Sequence, residues 1–133
     1  MSEFIDVIRN RPYFYAEKGA SALQIEQAEK LLELSFALDF KECLYEFGAV
    51  SVDGHDLTGF SADKYLDVVN ITLSERENNP DVPKDWYVIE QANIDGIVIW
   101  QNQKGEIYQT QPCRKIIKIA NSIVEYIASE HYN

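Results

Sequence analysis

At 133 residues and 15.3 kDa, with 46% hydrophobic and 26% charged residues, the chain has the make-up of a soluble globular domain and not of a disordered or fibrous protein. Its 22 acidic residues against 12 basic ones give a net charge of -10, which sets aside nucleic acid as a direct ligand, because neutralising phosphates takes clustered Lys and Arg. No apolar run approaches the roughly 20 residues that cross a bilayer, and MSEFIDVIRN carries acids where a signal peptide carries bases, so no membrane and a cytoplasmic location are expected.

Phe4, Ile5 and Ile8 fall on one side of a short N-terminal helix that Pro12 terminates. Tyr13, Phe14 and Tyr15 then run into Lys18-Gly19, read as a loop. The stretch SALQ, residues 21–24, has the form of a capping box, and Ile25, Ala28, Leu31 and Leu32 recur behind it at helical spacing. Ser35 is placed to cap the next helix. In that helix Phe36, Phe40, Cys43, Leu44 and Phe47 make one apolar stripe, and Gly48 stands where a left-handed C-terminal residue is wanted.

The strand AVSV meets Asp53-Gly54, a dipeptide favoured in type I′ hairpin turns, and HDLTGF returns. Residues 65–77 mix a helical face of Val68, Val69, Thr72, Leu73 and Arg76 with β-branched content and are assigned to a helix, broken by Asn78, Asn79, Pro80 and Pro83. From Trp86 the period becomes two. WYVIEQ, GIVIWQ after Asp95-Gly96, and EIYQTQ after Lys104-Gly105 make a three-stranded antiparallel meander. From Asn121, the residues Ile123, Tyr126 and Ile127 join Ile119 on a closing helix. The expected fold is a single α+β domain over residues 1–133: an antiparallel β-sheet of hairpin plus C-terminal meander, with N-terminal helices, a middle helix and a C-terminal helix packed on it.

Chemistry finds little footing. Of the two histidines that could activate a nucleophile, His131 lies three residues from the C-terminus and His55 reads as an exposed turn residue, while Cys43 belongs to a core stripe. Cys43 and Cys113 are expected reduced and structural. Asp53, His55 and Asp56 do not converge on a metal, because alternation sends His55 to the opposite face from Asp56. No GxGxxG, GxxxxGK[ST] or GxSxG is present. The expectation is a protein that is not an enzyme and needs no cofactor or metal.

Two surfaces remain. Residues 53–95 hold ten acids against Lys64, Arg76 and Lys84, hence seven of the ten net negative charges; this is either a solvated face or one that attracts a basic partner. Both faces of the meander carry large apolar residues. One packs on helices, and residues 65–77 are placed to cover the other; left uncovered, Trp86 or Trp100 would be an interface anchor.

Three stretches carry a resemblance: FKECLYEFGAVSVDGHDLTG, DVVNITLSERE before a Pro-containing loop, and above all YVIEQANIDGIVIWQNQKGEIYQT. Through them nearly the whole chain resembles the SUKH superfamily, whose members are similar to a fungal regulator of cell-wall assembly, and it looks closest to the YobK-like bacterial branch. Many members have Leu-Pro at the start of the third helix and Asn-Gly at its end, where this chain has Phe36-Ala37 and Phe47-Gly48. The resemblance implies an immunity protein: an antitoxin that binds and neutralises the nuclease toxin domain of a polymorphic LXG-type secreted toxin by stoichiometric inhibition. The implied partner is thus a cognate toxin protein, a basic nuclease domain. A small regulatory or scaffold module with no toxin partner is the alternative. The expected contacts are acids and aromatics around the first hairpin and the meander: Asp53, His55, Asp56, Asp85, Trp86, Asp95 and Trp100.

Overall fold

Residues 3–129 are described by the structure, a computed structural model. Helix α1 (Glu3–Arg9) buries Ile5 and Ile8 one turn apart. Helix α2 (Ala22–Leu32) starts on the expected capping box. Ser21 Oγ accepts the Gln24 N–H at 3.2 Å, and Gln24 Oε1 accepts the Ser21 N–H at 2.8 Å. Helix α3 (Leu38–Phe47) buries Phe40, Cys43, Leu44 and Phe47 of the predicted stripe, with Phe36 buried just ahead of it, and stops at Gly48, whose φ of 73° suits glycine.

The start of α3 departs from expectation. Ser35 is exposed and Ala37 occupies the cap position with no side-chain acceptor. Bonds from distant elements hold the entry instead: Glu29 Oε2 accepts the Phe36 N–H at 2.8 Å, and the Tyr87 hydroxyl accepts the Ala37 N–H at 2.9 Å.

The expected loop after Tyr13 contains a two-residue strand, β1 (Tyr15–Ala16), paired antiparallel with β2 (Val50–Val52). Asp53-Gly54 then turns the chain into β3 (His55–Leu57), with φ of 52° and 82° at the two positions, as a type I′ turn requires. After β3 comes α4 (Val68–Asn78), capped by the Asp67 carboxylate on the Asn70 N–H at 3.0 Å. The meander is β4 (Tyr87–Gln91), β5 (Val98–Gln101) and β6 (Ile107–Thr110), extended by a fourth strand, β7 (Ile117–Ala120), before α5 (Ile123–Ala128).

The fold is α+β, with its antiparallel strands in two sheets ordered β1-β2-β3 and β4-β5-β6-β7. Thr58 stitches them together. Its N–H donates to the Ile89 carbonyl at 2.8 Å and its hydroxyl to the Val88 carbonyl at 2.7 Å. Each face of the meander has its own core. Tyr87, Ile89 and Ile99 pack with the residues of α1, α2, α3 and α5, while Val88, Val98 and Trp100 pack with Trp86, Val82 and Ile71 of α4. The segment expected to cover the second face therefore does so. Leu31 and Leu73, assigned to apolar helical faces, are exposed. Cys43 is buried and Cys113 exposed, both as free thiols.

Candidate interaction surface

The hairpin tip is tied down by a strand-preceding segment. The Arg11 guanidinium pairs with the Asp53 carboxylate, and the Asp53 N–H donates to the Pro12 carbonyl at 2.7 Å. Asp56 is exposed, accepting the Ser51 hydroxyl at 2.6 Å on its carboxylate.

His55 is not the exposed turn residue expected. It is 8% exposed, its Nδ1 lies 2.9 Å from Glu90 Oε1, and its ring leans on that of Tyr126 at a centroid distance of 5.0 Å. The Tyr126 hydroxyl donates to the same Glu90 oxygen, and Glu90 Oε2 accepts the Asp56 N–H at 3.2 Å. The hydrogen bond to Glu90 pushes the His55 imidazole up from its ordinary value, with burial working against it. The physical reason for the correction lies far along the chain: alternation sends His55 to the face opposite Asp56 as expected, but on that face β4 and α5 build a polar pocket that buries it. His131 lies outside the described residues.

Both tryptophans are enclosed. Trp100 is fully buried and donates its indole N–H to Thr110 Oγ1 at 2.9 Å; Trp86, 8% exposed, stacks on Tyr108 with centroids 4.1 Å apart. Neither offers itself to a partner on this surface, because α4 and Val82 complete the second core around them. Asp85 and Asp95 are exposed but lie beyond opposite ends of β4. The structure thus keeps Asp53 and Asp56 at the surface of the hairpin, turns His55 inward, and leaves Asp85 and Asp95 beyond opposite ends of β4.

The exposed apolar material lies elsewhere. A groove of about 650 Å³ runs between α2 and α3, its apolar lining made by Ile5, Ala22, Ile25, Leu38 and Tyr45. Glu26, Glu29, Glu42 and Glu46 rim it, with Lys41 as the single lining cation among the described residues. Sequence reasoning missed this groove. The signal was present in Leu38 and Tyr45, an i, i+7 pair that falls off the buried stripe of α3.

Among the described residues no group of His, Cys, Asp and Glu could hold a metal ion, and no helix is long and apolar enough to cross a membrane. Burial raises the Cys43 thiol well above its ordinary value, which disfavours the thiolate that nucleophilic attack requires. What the surface offers is carboxylates around an apolar groove and a separate acidic hairpin, an arrangement suited to holding another protein. A family model described as SUKH_5, SMI1-KNR4 cell-wall, matches residues 1–131. The chain belongs to this SMI1-KNR4 family. No curated protein matches it. The match spans α1 to α5, so family membership covers both sheets and both candidate surfaces. Membership of the SMI1-KNR4 family is consistent with an immunity-protein-like role and with protein–protein interaction as the mode of action.

Proposed function

We propose that this SMI1-KNR4 family member is an immunity protein that binds the nuclease toxin domain of a polymorphic LXG-type secreted toxin and blocks it stoichiometrically, without turnover. The family match over residues 1–131 carries the reading. The charge of -10 supports it independently: a nuclease presents basic residues to its substrate, and an acidic inhibitor complements that surface, raising the association rate by roughly 10- to 1,000-fold. An interface of about 1,600 Å² in total would hold such a complex. Within the sequence-derived contact set, Asp56, Asp85 and Asp95 are the exposed members and Asp53 is half-buried.

The test is co-expression with the toxin domain encoded beside this chain, followed by nuclease assays on free toxin and on the purified mixture. Nuclease activity lost at equimolar ratio, with a stable complex, is the expected result. No complex and no protection would sink that pairing. The weight would then move to a regulatory or scaffold module, the reading that the family's cell-wall description favours.

A further inference from the structure

Helices α2 and α3 leave part of their common surface outside the core. An isolated exposed leucine is ordinary on any protein surface, but Leu38 and Tyr45 are 78% and 64% exposed on one face of α3, above the buried Ile25 of α2. Residues seven apart on a helix lie along the same side, so the two present separate apolar anchor points on one face, with Lys41 and Glu42 on the turn between them. Between two helices of 11 and 10 residues, this shape matches the groove that an amphipathic helix fills with anchors at i, i+3 or i+4, and i+7.

The rim identifies the occupant. Among the described residues the groove is lined by Glu26, Glu29, Glu42, Glu46 and Lys41. Lys41 lies 3.6 Å from Glu29, and Arg9 lies 3.5 Å from Glu46. Both pairs are partly exposed, and Glu26 adds an exposed carboxylate on the α2 side. A second copy of this chain, itself at -10, is a poor complement to such a rim.

We propose that the groove docks a basic amphipathic helix of a partner protein, with apolar anchors on Ile25, Leu38 and Tyr45 and lysines or arginines along the glutamate rim. Only the identity of that partner rests on the immunity reading. The docking face lies on the α2–α3 side of the molecule, in residues outside the acidic segment 53–95. A toxin held here has its basic helix captured, and the acidic hairpin is left to steer the approach.

The experiment has two arms. In the first, a synthetic peptide with leucines at i, i+3, i+4 and i+7 and lysines elsewhere is titrated into the full-length protein, beside a scrambled peptide of identical composition. In the second, the toxin domain is titrated. Both use wild type, Leu38→Asp, Tyr45→Ala and Glu26→Lys, exposed positions whose replacement leaves the core intact; unchanged denaturation midpoints verify this. Each apolar variant is expected to weaken the patterned peptide and the toxin about 10-fold or more. Glu26→Lys should slow association most at low salt.

Equal binding of the scrambled peptide, patterned-peptide binding indifferent to Leu38→Asp and Tyr45→Ala, or no peptide binding at all would overturn the groove assignment. Toxin bound equally well by these variants would overturn it too, while leaving the immunity reading standing. A peptide bound through the groove with no toxin bound would do the reverse.

Discussion

His55 Nδ1 of β3 lies 2.9 Å from Glu90 Oε1 of β4, so a buried imidazole and carboxylate join the two sheets. The charged groups that act on the imidazole are Glu90, which raises its pKa most, then Asp53, which also raises it, and Arg11, which lowers it. A folded-state pKa above the ordinary 6.5 means that the pair's contribution is fully present below 6.5 and is lost as the pH rises through the raised value. The slope cannot exceed about 1.4 kcal/mol per pH unit for one proton. Urea midpoints taken across this window should therefore fall with rising pH in the wild type and fall less steeply in His55→Gln. A wild-type midpoint flat above pH 6.5, or an identical slope in the variant, would contradict this.

Strand β4 slips register against β5 between Val88 and Glu90, and the Val88 backbone finds its partners outside the ladder. Thr72 Oγ1 of α4 accepts the Val88 N–H at 3.0 Å, and the Thr58 hydroxyl takes the Val88 carbonyl at 2.7 Å. Thr72→Val keeps the shape and removes the acceptor, leaving a buried N–H unsatisfied, at about 1–3 kcal/mol. Thr72→Ser keeps the hydroxyl and should recover most of that. Denaturant midpoints decide it: equal stability of the Val and Ser variants would show that the bond does not matter.

Asp39 makes a different kind of junction. Its carboxylate accepts the Ile123 N–H at the start of α5 and the Gln101 side-chain amide of β5, each at 3.0 Å; Gln101 also accepts the Tyr87 hydroxyl at 2.6 Å. Burial raises the Asp39 pKa from its ordinary 3.8, so protonation favours the fold as the pH falls through the raised value toward 3.8. Glu106 acts in the opposite sense. Hydrogen bonds from Asn102 and Lys118 hold it down at about 2, and its stabilising effect, complete above 4.5, disappears as the pH drops toward 2. Asp39→Asn has one acceptor oxygen for two facing donors and should lose about 1–3 kcal/mol at neutral pH. It should also lose the acid-side gain. A variant as stable as wild type at neutral pH would rule out the junction.

Local chemistry wrote the start of α2 and the hairpin into the sequence, whereas the start of α3 is held from Glu29 and Tyr87. The Ser21 and Gln24 box and the Asp53-Gly54 turn depend only on neighbours, and both form as read. Strand β1 has two residues and exists because Ser51 and Val50 pair with it, a cause some 35 residues away that no local pattern carries. The same holds for β7, where Ile117 and Lys118 are both exposed and alternation is weak, so only its pairing with β6 defines it. At the candidate site the acids are legible in the sequence but their company is not. His55 reads as a turn residue until Glu90 and Tyr126 are brought to it, and both meander faces are apolar, so sequence alone does not show whether Trp100 is covered. Leu38 and Tyr45 went unread because the stripe beside them accounted for the helix.

The hairpin and the groove make separable contributions to any basic partner, and Asp56 isolates the first. Asp53 is held by Arg11, so Asp53→Lys sets two cations against each other and disturbs the tip as well as the charge. Asp56 is exposed, and Asp56→Lys changes the field while removing only the exposed Ser51 contact. If the hairpin steers the toxin, Asp56→Lys should slow association at low ionic strength, where charges act over roughly 30 Å at 0.01 M. The difference should shrink as screening shortens that reach to roughly 8 Å at 0.15 M. Dissociation should change little, because rim charges govern encounter more than lifetime. Stopped-flow rates at the two salt concentrations check this: association equal to wild type at low salt would remove the hairpin from the encounter surface, whereas faster dissociation would place Asp56 inside the contact itself.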